Sequence, residues 1–146
     1  MNFDFSDKEK VFFAKINDAM TTFADERDLE SADLSTIRDH LSGALFALAH
    51  QGYLKIGLAA DQEPVSGSLA LRAAMEQLSG ISPSIFLSVE MSTRFFGRIV
   101  NVWDSVKEKK IMLDNLMAGD VVGAVALSES TMNVENEPLA TAGIRD

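Results

Sequence analysis

The stretch Ala118-Gly119-Asp120-Val121-Val122-Gly123-Ala124-Val125-Ala126-Leu127-Ser128-Glu129 is where the character of the chain changes. Before Gly119 the apolar residues recur at helical spacing. After it, residues 121–127 are small or β-branched and show no helical stripe. Such a short apolar run is typical of a buried strand. The sequence therefore predicts a helical domain over residues 1–119 and the beginning of a β domain over residues 120–146.

Two helices are predicted at the N-terminal end of the chain. Ser6 and Glu9 have the spacing of a capping box, and apolar residues then form one stripe: Phe12, Ile16, Ala19, Met20 and Phe23. The second helix is predicted from about Ser35 to His50, with Ile37, Leu41, Leu45 and Leu48 on one face. Gly52 is well placed to close this helix in the left-handed conformation.

Three further helices are predicted before the change of character. The third covers Leu69 to Leu78, and Gly80 is expected to end it. Ser82 and Pro83 form an N-cap and first-turn pair for a fourth helix, which reaches about Val102. This helix is apolar around much of its circumference, so we expect it to be central and buried. Ser105 and Glu108 open the fifth helix, which ends at Gly119.

The composition excludes several classes of function. A net charge of −9 argues against binding to nucleic acid, because phosphate binding needs clustered cations. The chain has no cysteine, which excludes disulfides, thiolate metal sites and cysteine nucleophiles. No basic or apolar leader and no membrane-length apolar run are present, so we expect a cytoplasmic protein that does not enter a membrane.

This layout and several short segments resemble the acyl-CoA dehydrogenase family. The resemblance spans the whole chain. Residues 118–129 are similar to the family pattern Ser-Gly-Glu-x-x-Gly-Ala-x-Ala-Leu-Thr-Glu. Residues 5–9, 50–58 and 75–79 are similar to the family's capped opening, to the segment that closes its second helix and to its Glu-Glu-Leu-Ala stretch. The resemblance implies a mainly α protein, with a bundle of about five helices followed by the first strands of a β-barrel-like domain.

The resemblance also implies an FAD cofactor and names its contacts. In the family this strand runs beside the flavin ring, and a hydroxyl with neighbouring backbone groups binds its pyrimidine edge. Ser128 matches the family position that carries this hydroxyl. Val125 and Leu127 would supply backbone hydrogen-bonding groups and part of the wall of the flavin site. Donors there would face the edge where negative charge builds during hydride transfer. Val134 matches a family serine near the cofactor, but it has no hydroxyl.

The implied activity is oxidation of an acyl-CoA thioester at its α and β carbons. Leu87, Met91 and Phe95 lie four residues apart on the fourth helix, which borders the acyl-chain pocket in the family. Ordinary core packing is the alternative for these three residues. The family's catalytic base lies further toward the C-terminus, so no catalytic residue is expected here. The implied partners are acyl-CoA, an electron-transfer acceptor protein and further copies of the chain.

A function without flavin is the alternative for the whole chain. The family continues after residue 129 with Pro-Gly-Ala-Gly-Ser-Asp, and residues 130–135 of this chain depart from that pattern. A non-catalytic helical module that packs against partner chains would fit this departure.

Four other polar residues are candidates for a functional site. His40 and His50 lie too far apart along one helix to hold one metal, so surface or capping roles are expected. Glu76 and Glu90 are expected to lie on a helix surface or in a buried structural pair rather than to act as general bases.

Overall fold

The fold is that of a computed structural model, which describes residues 4–24, 29, 31–58, 68–102 and 106–125. In these residues the chain is mainly helical. The helices are α1 (Asp7–Met20), α2 (Leu34–His50), α3 (Ser68–Ile81), α4 (Pro83–Val89), a π-helix (Glu90–Phe96), α5 (Gly97–Asn101) and α6 (Val106–Ala118). Two 3-10 turns, Thr21–Phe23 and Tyr53–Lys55, follow α1 and α2. The π-helix Glu90–Phe96 is called the π segment below.

The N-terminal ends of α1 and α4 carry the predicted caps. The Ser6 backbone N–H donates to the Glu9 carboxylate at 2.7 Å, and the Glu9 N–H donates to Ser6 Oγ at 3.4 Å. Ser82 Oγ accepts from the Ile85 N–H at 3.1 Å, with Pro83 as the first residue of α4. Each cap satisfies a backbone donor that the helix itself leaves unpaired, and the two predicted caps are confirmed.

Glycines end α2 and α6 as predicted. Gly52 has φ of 80° and follows the last turn of α2. Gly119 also has φ of 80°, and the Asp120 N–H donates back to the Asn115 carbonyl at 3.0 Å. A residue with a side chain would be strained in this left-handed conformation.

The predicted end of the third helix is wrong, while the start of α2 agrees with the prediction within one residue. The helix α3 continues through Gly80 to Ile81, because the half-buried Ile81 packs against the core and offsets the cost of an internal glycine. The helix α2 begins at Leu34, with Asp33 as its cap: Asp33 Oδ1 accepts from the Thr36 N–H at 2.8 Å. The predicted cap Ser105 lies outside the described residues.

The core lies where α1, α2, α3 and α4 meet. Ile16, Leu48 and Leu78 have no exposed surface, and Leu54 from the turn after α2 is equally buried. The helix pairs α1 and α3, and α3 and α4, pack against each other. Most of the free energy of folding in such a bundle comes from this shared apolar burial.

The strand predicted from residue 121 stays a prediction. Val121–Val125 has no regular secondary structure, and no described residue belongs to a strand. A strand needs a neighbour to complete its hydrogen bonds, and the Gly123 N–H donates to a serine side chain instead. Residues 126–146, with the rest of the predicted β domain, lie outside the described residues.

Candidate functional site

The π segment is the feature around which the candidate functional residues gather. It continues directly from α4 into α5, and the Gly97 N–H donates to the Ser92 carbonyl, five residues back. Thr93 Oγ1 donates to the Val89 carbonyl at 2.7 Å, which adds a side-chain bond inside the same turn. Turns with this wider spacing are rare and occur frequently at functional sites.

The inward side of the π segment carries a buried ion pair. Arg94 Nη1 lies 2.5 Å from Glu90 Oε1, and the two side chains are 7% and 15% exposed. Arg94 Nη2 donates to the Tyr53 carbonyl at 3.3 Å, and the guanidinium lies 4.7 Å from the centre of the Tyr53 ring. The Tyr53 hydroxyl donates to Glu90 Oε1 at 3.3 Å. These three residues therefore connect the π segment to the turn after α2.

Burial dominates the acid–base properties of this cluster. It raises the pKa of the Tyr53 phenol far above its ordinary value, although the positive charge of Arg94 opposes the rise. Burial also raises the pKa of the Glu90 carboxyl, against the opposing effects of Arg94 and of the hydrogen bond from Tyr53. Glu90 therefore forms a buried structural pair with Arg94, which was one of the two roles predicted for it. Glu76 is exposed on the surface of α3, which was the other predicted role.

A second side of the π segment holds the chain that follows α6. The Gly123 N–H donates to Ser92 Oγ at 2.8 Å, and both residues are buried. A Cβ atom added at Gly123 would lie 1.9 Å from Phe96 Cδ1, so only glycine fits against that ring. One hydrogen bond and one close contact thus place Val121–Val125 against the π segment.

The outward side of the helix is apolar and open to solvent. Leu87, Met91 and Phe95 are 61%, 41% and 40% exposed. Two residues four apart are separated by slightly more than one turn of an α-helix and by slightly less than one turn of a π-helix. The helix passes from α to π geometry between Leu87 and Phe95, so the two angular offsets partly cancel and the three side chains stay on one side. The prediction of a central, buried helix holds for the opposite side, where Ile85 and Val89 lie in the core, and is wrong for this face. These three residues are called the Leu87–Phe95 face below.

The structure places one of the four predicted flavin contacts. Val125 is half-buried at the end of the described range 106–125. Leu127, Ser128 and Val134 lie outside the described residues. The Ser92–Gly123 hydrogen bond links the segment that contains Val125 to the helix that carries the predicted substrate face.

Sequence reasoning missed Tyr53, Ser92, Arg94 and Gly123 as a set. The spacing of Glu90 and Arg94, four residues apart on a helix, was visible and could have indicated an ion pair. Tyr53 is 37 residues from Glu90, and Ser92 is 31 residues from Gly123. Pairs at such separations leave no signal in one sequence.

The two histidines differ in their surroundings. His50 is exposed, as expected, at the C-terminal end of α2. His40 is half-buried, with its ring edge-on to Phe23 at 5.3 Å between centres. Among the described residues, His40 Nε2 has no hydrogen-bond partner. The surface role expected for His40 is therefore only partly correct.

The described part of the chain offers no other obvious centre of chemistry. It contains no group of three or more His, Asp or Glu side chains arranged to hold a metal. None of its helices is long and apolar enough to cross a membrane. An open groove of about 380 Å³ lies between the C-terminal ends of α2 and α6, with Phe46 and Met117 in its lining.

The described fold defines a class: a mainly helical domain with a π-helix that carries a buried ion pair on one side and an apolar open face on another. Compared with family models, curated proteins and solved structures, the chain has no match.

Proposed function

We propose that this chain is the N-terminal part of an FAD-dependent acyl-CoA dehydrogenase, in which the Leu87–Phe95 face lines the pocket for the acyl chain. One observation carries the proposal: three large apolar side chains lie in line and exposed on one helix. The same helix binds the segment Val121–Val125, which contains a predicted flavin contact, through the hydrogen bond from the Gly123 N–H to Ser92 Oγ. Neighbouring exposed apolar side chains support the proposal of a binding surface.

The chemistry of the face suits an acyl chain. Leu87 and Phe95 offer fixed apolar walls, and the unbranched Met91 between them can adapt to ligands of different length. A hydrocarbon chain gains about 0.8 kcal/mol for each CH₂ group that it buries. The face is therefore suited to affinity for the apolar tail, while the CoA group must be recognised elsewhere.

The residues of this chain would hold and shield the reactants rather than move the proton. When bound, FAD supplies the acceptor for the hydride that leaves the β carbon. Val125, Leu127 and Ser128 would hold one edge of the cofactor, and the Leu87–Phe95 face would exclude water from the acyl chain. Proton removal from the α carbon is assigned to a carboxylate beyond these residues.

Binding of an acyl chain is tested by a substitution of the whole face. In the variant Leu87→Ser, Met91→Ser and Phe95→Ser, we expect the preference for octanoyl-CoA over free CoA to fall by at least about a hundredfold, because at least a few buried CH₂ groups lose their contacts. The measurement is isothermal titration of each ligand. The control carries Val11→Ser and Ile111→Ser, which are 55% and 53% exposed on other helices. Equal affinity of the unaltered chain for octanoyl-CoA and CoA would overturn the assignment of the face.

The flavin is tested by titration with FAD. A chain that holds one flavin edge should alter the absorption band of FAD near about 450 nm, because bound flavin meets new hydrogen-bond donors and a less polar environment. A folded chain that leaves the band unchanged at saturating FAD concentrations would remove the support for cofactor binding.

A packing module without flavin is the second candidate. Apolar side chains are exposed away from the π segment as well, among them Leu34, Phe46 and Val102 at 85%, 65% and 78%. Such residues suit contact with other chains. Self-association in sedimentation experiments, together with an unchanged flavin band, would favour this candidate over the enzyme.

A further inference from the structure

Ser92 is buried beneath the segment that follows α6, and its hydroxyl has an unusual partner. It accepts a hydrogen bond from a backbone N–H 31 residues later in the chain, at 2.8 Å. The side chain is only 1% exposed. A buried N–H left without an acceptor is costly, so the Ser92 hydroxyl holds the backbone of the segment against the π segment at this point.

The Phe96 ring also restricts the position of this segment, because it packs directly against Gly123. Its ring would lie 1.9 Å from a Cβ atom at residue 123. Residues 122 and 124 are a valine and an alanine, and neither could take the place of Gly123 against the ring. A slip of the segment by one residue would bring the Cβ atom of residue 122 or 124 against this ring, so the clash excludes it.

We propose that Ser92 is a positioning residue: its hydroxyl holds Val121–Val125 in the register that the Phe96 ring selects, and so sets the distance between the proposed flavin contact Val125 and the Leu87–Phe95 face. The last part of this inference rests on the proposed function. A slip of one residue in extended chain would move each backbone group by about 3.3 Å and turn each side chain to the other side. Hydride transfer tolerates no such shift, because reacting atoms must lie about 3–3.5 Å apart.

The register is tested by amide hydrogen exchange at Gly123 in the full chain. In Ser92→Ala we expect the Gly123 amide to exchange about five to ten times faster, which corresponds to the loss of about one hydrogen bond. The control is Ser88→Ala, since Ser88 lies one turn earlier and its hydroxyl donates only within its own helix, to the Ser84 carbonyl. Unchanged exchange at Gly123 in Ser92→Ala would overturn the proposal.

A second variant tests the same register without altering Ser92. In Gly123→Ala the new methyl group must push the segment away from Phe96, so we expect the amide of residue 123 to lose protection as it does in Ser92→Ala. The control is Gly80→Ala, where an added Cβ meets nothing within 4 Å. Retained protection in Gly123→Ala would contradict the proposed contact.

The link to the cofactor is tested by FAD titration of the same variants. We expect Ser92→Ala to weaken FAD binding about tenfold or more and Ser88→Ala to leave it unchanged, while Ser92→Thr, which keeps the acceptor oxygen, recovers most of the affinity. If the unaltered chain binds FAD and Ser92→Ala binds it equally well, the positioning role fails and the proposed function stands. If the unaltered chain binds no FAD, the proposed function fails, and the exchange rates alone decide the register.

Discussion

At the scale of single residues, Arg94 combines an ion pair, a hydrogen bond to the backbone and a contact with an aromatic ring. It pairs with Glu90, donates to the Tyr53 carbonyl and lies over the Tyr53 ring. A buried ion pair of this kind is weak evidence for stability, because desolvation of both charges offsets their attraction. Its role is better described as specificity: the planar guanidinium reaches two partners that only one arrangement of the helices brings together.

Substitution of Arg94 should therefore be costly even when the charge is kept. In Arg94→Lys, a single ammonium group cannot reach both Glu90 and the Tyr53 carbonyl, and we expect the free energy of unfolding to fall by about 2–3 kcal/mol. Urea unfolding followed by circular dichroism measures it. The matched control is Arg98→Lys, one turn later and exposed, with an expected change within about 0.5 kcal/mol. Equal effects of the two substitutions would refute the role given to Arg94.

At the scale of elements, the helices begin and end through local hydrogen bonds. Asp33 caps α2 by accepting from the Thr36 N–H and from the Ser35 hydroxyl. The hydrogen bond from the Thr36 backbone has the largest effect, and together these bonds hold the pKa of the Asp33 carboxyl below its ordinary value of 3.8. The same type of cap at Ser6 lowers the pKa of Glu9 through the Ser6 hydroxyl and backbone N–H.

The cap of α2 should leave a signature in acid. Because the folded-state pKa of Asp33 is lowered, its contribution to stability is fully present above pH 3.8 and is lost as the pH falls through the lower folded value. In Asp33→Asn, an oxygen acceptor remains but nothing titrates, so the melting temperature should fall less steeply with acid. Thermal unfolding by far-ultraviolet circular dichroism at a series of pH values measures this slope. The control is Asp39→Asn in the same helix, and an identical slope in both variants would contradict the prediction.

At the scale of the whole molecule, one core joins the first four helices. Buried residues of α1, α2, α3 and α4 belong to a single cluster, so no helix pair within it has a separate core. The open Leu87–Phe95 face lies on the far side of the helix that this core supports. A rigid helix with one face buried and the other exposed is a suitable support for a binding surface.

Loss of one core side chain should weaken the whole bundle. Ile16 in α1 has no exposed surface, and Ile16→Ala should lower the free energy of unfolding by about 2–5 kcal/mol through lost burial and the remaining cavity. The unfolding should stay a single transition by far-ultraviolet circular dichroism and by near-ultraviolet circular dichroism, which reports on aromatic side chains such as the buried Tyr53. The control is Val11→Ala on the exposed side of α1. Separate transitions for the two probes would show that the helices do not share one core.

Helix starts and ends could be predicted from the sequence, because their signals act over a few residues, whereas the π segment inside the predicted fourth helix could not. The capping box at Ser6 and Glu9, the Ser82–Pro83 start of α4 and the closing glycines Gly52 and Gly119 all make bonds or turns within five residues of themselves. The apolar stripe of α1 likewise predicted its buried side, since Phe12, Ile16 and Met20 all lie in the core.

Which surfaces meet depends on contacts between residues that are far apart in the sequence. The sequence could not place Tyr53 against Arg94, 41 residues away, or Ser92 against Gly123. Nor could it tell that the Leu87–Phe95 face is open, because apolar spacing is the same for a covered face and an exposed one. Such contacts depend on how the helices pack, and packing is a property of the whole chain rather than of any short segment.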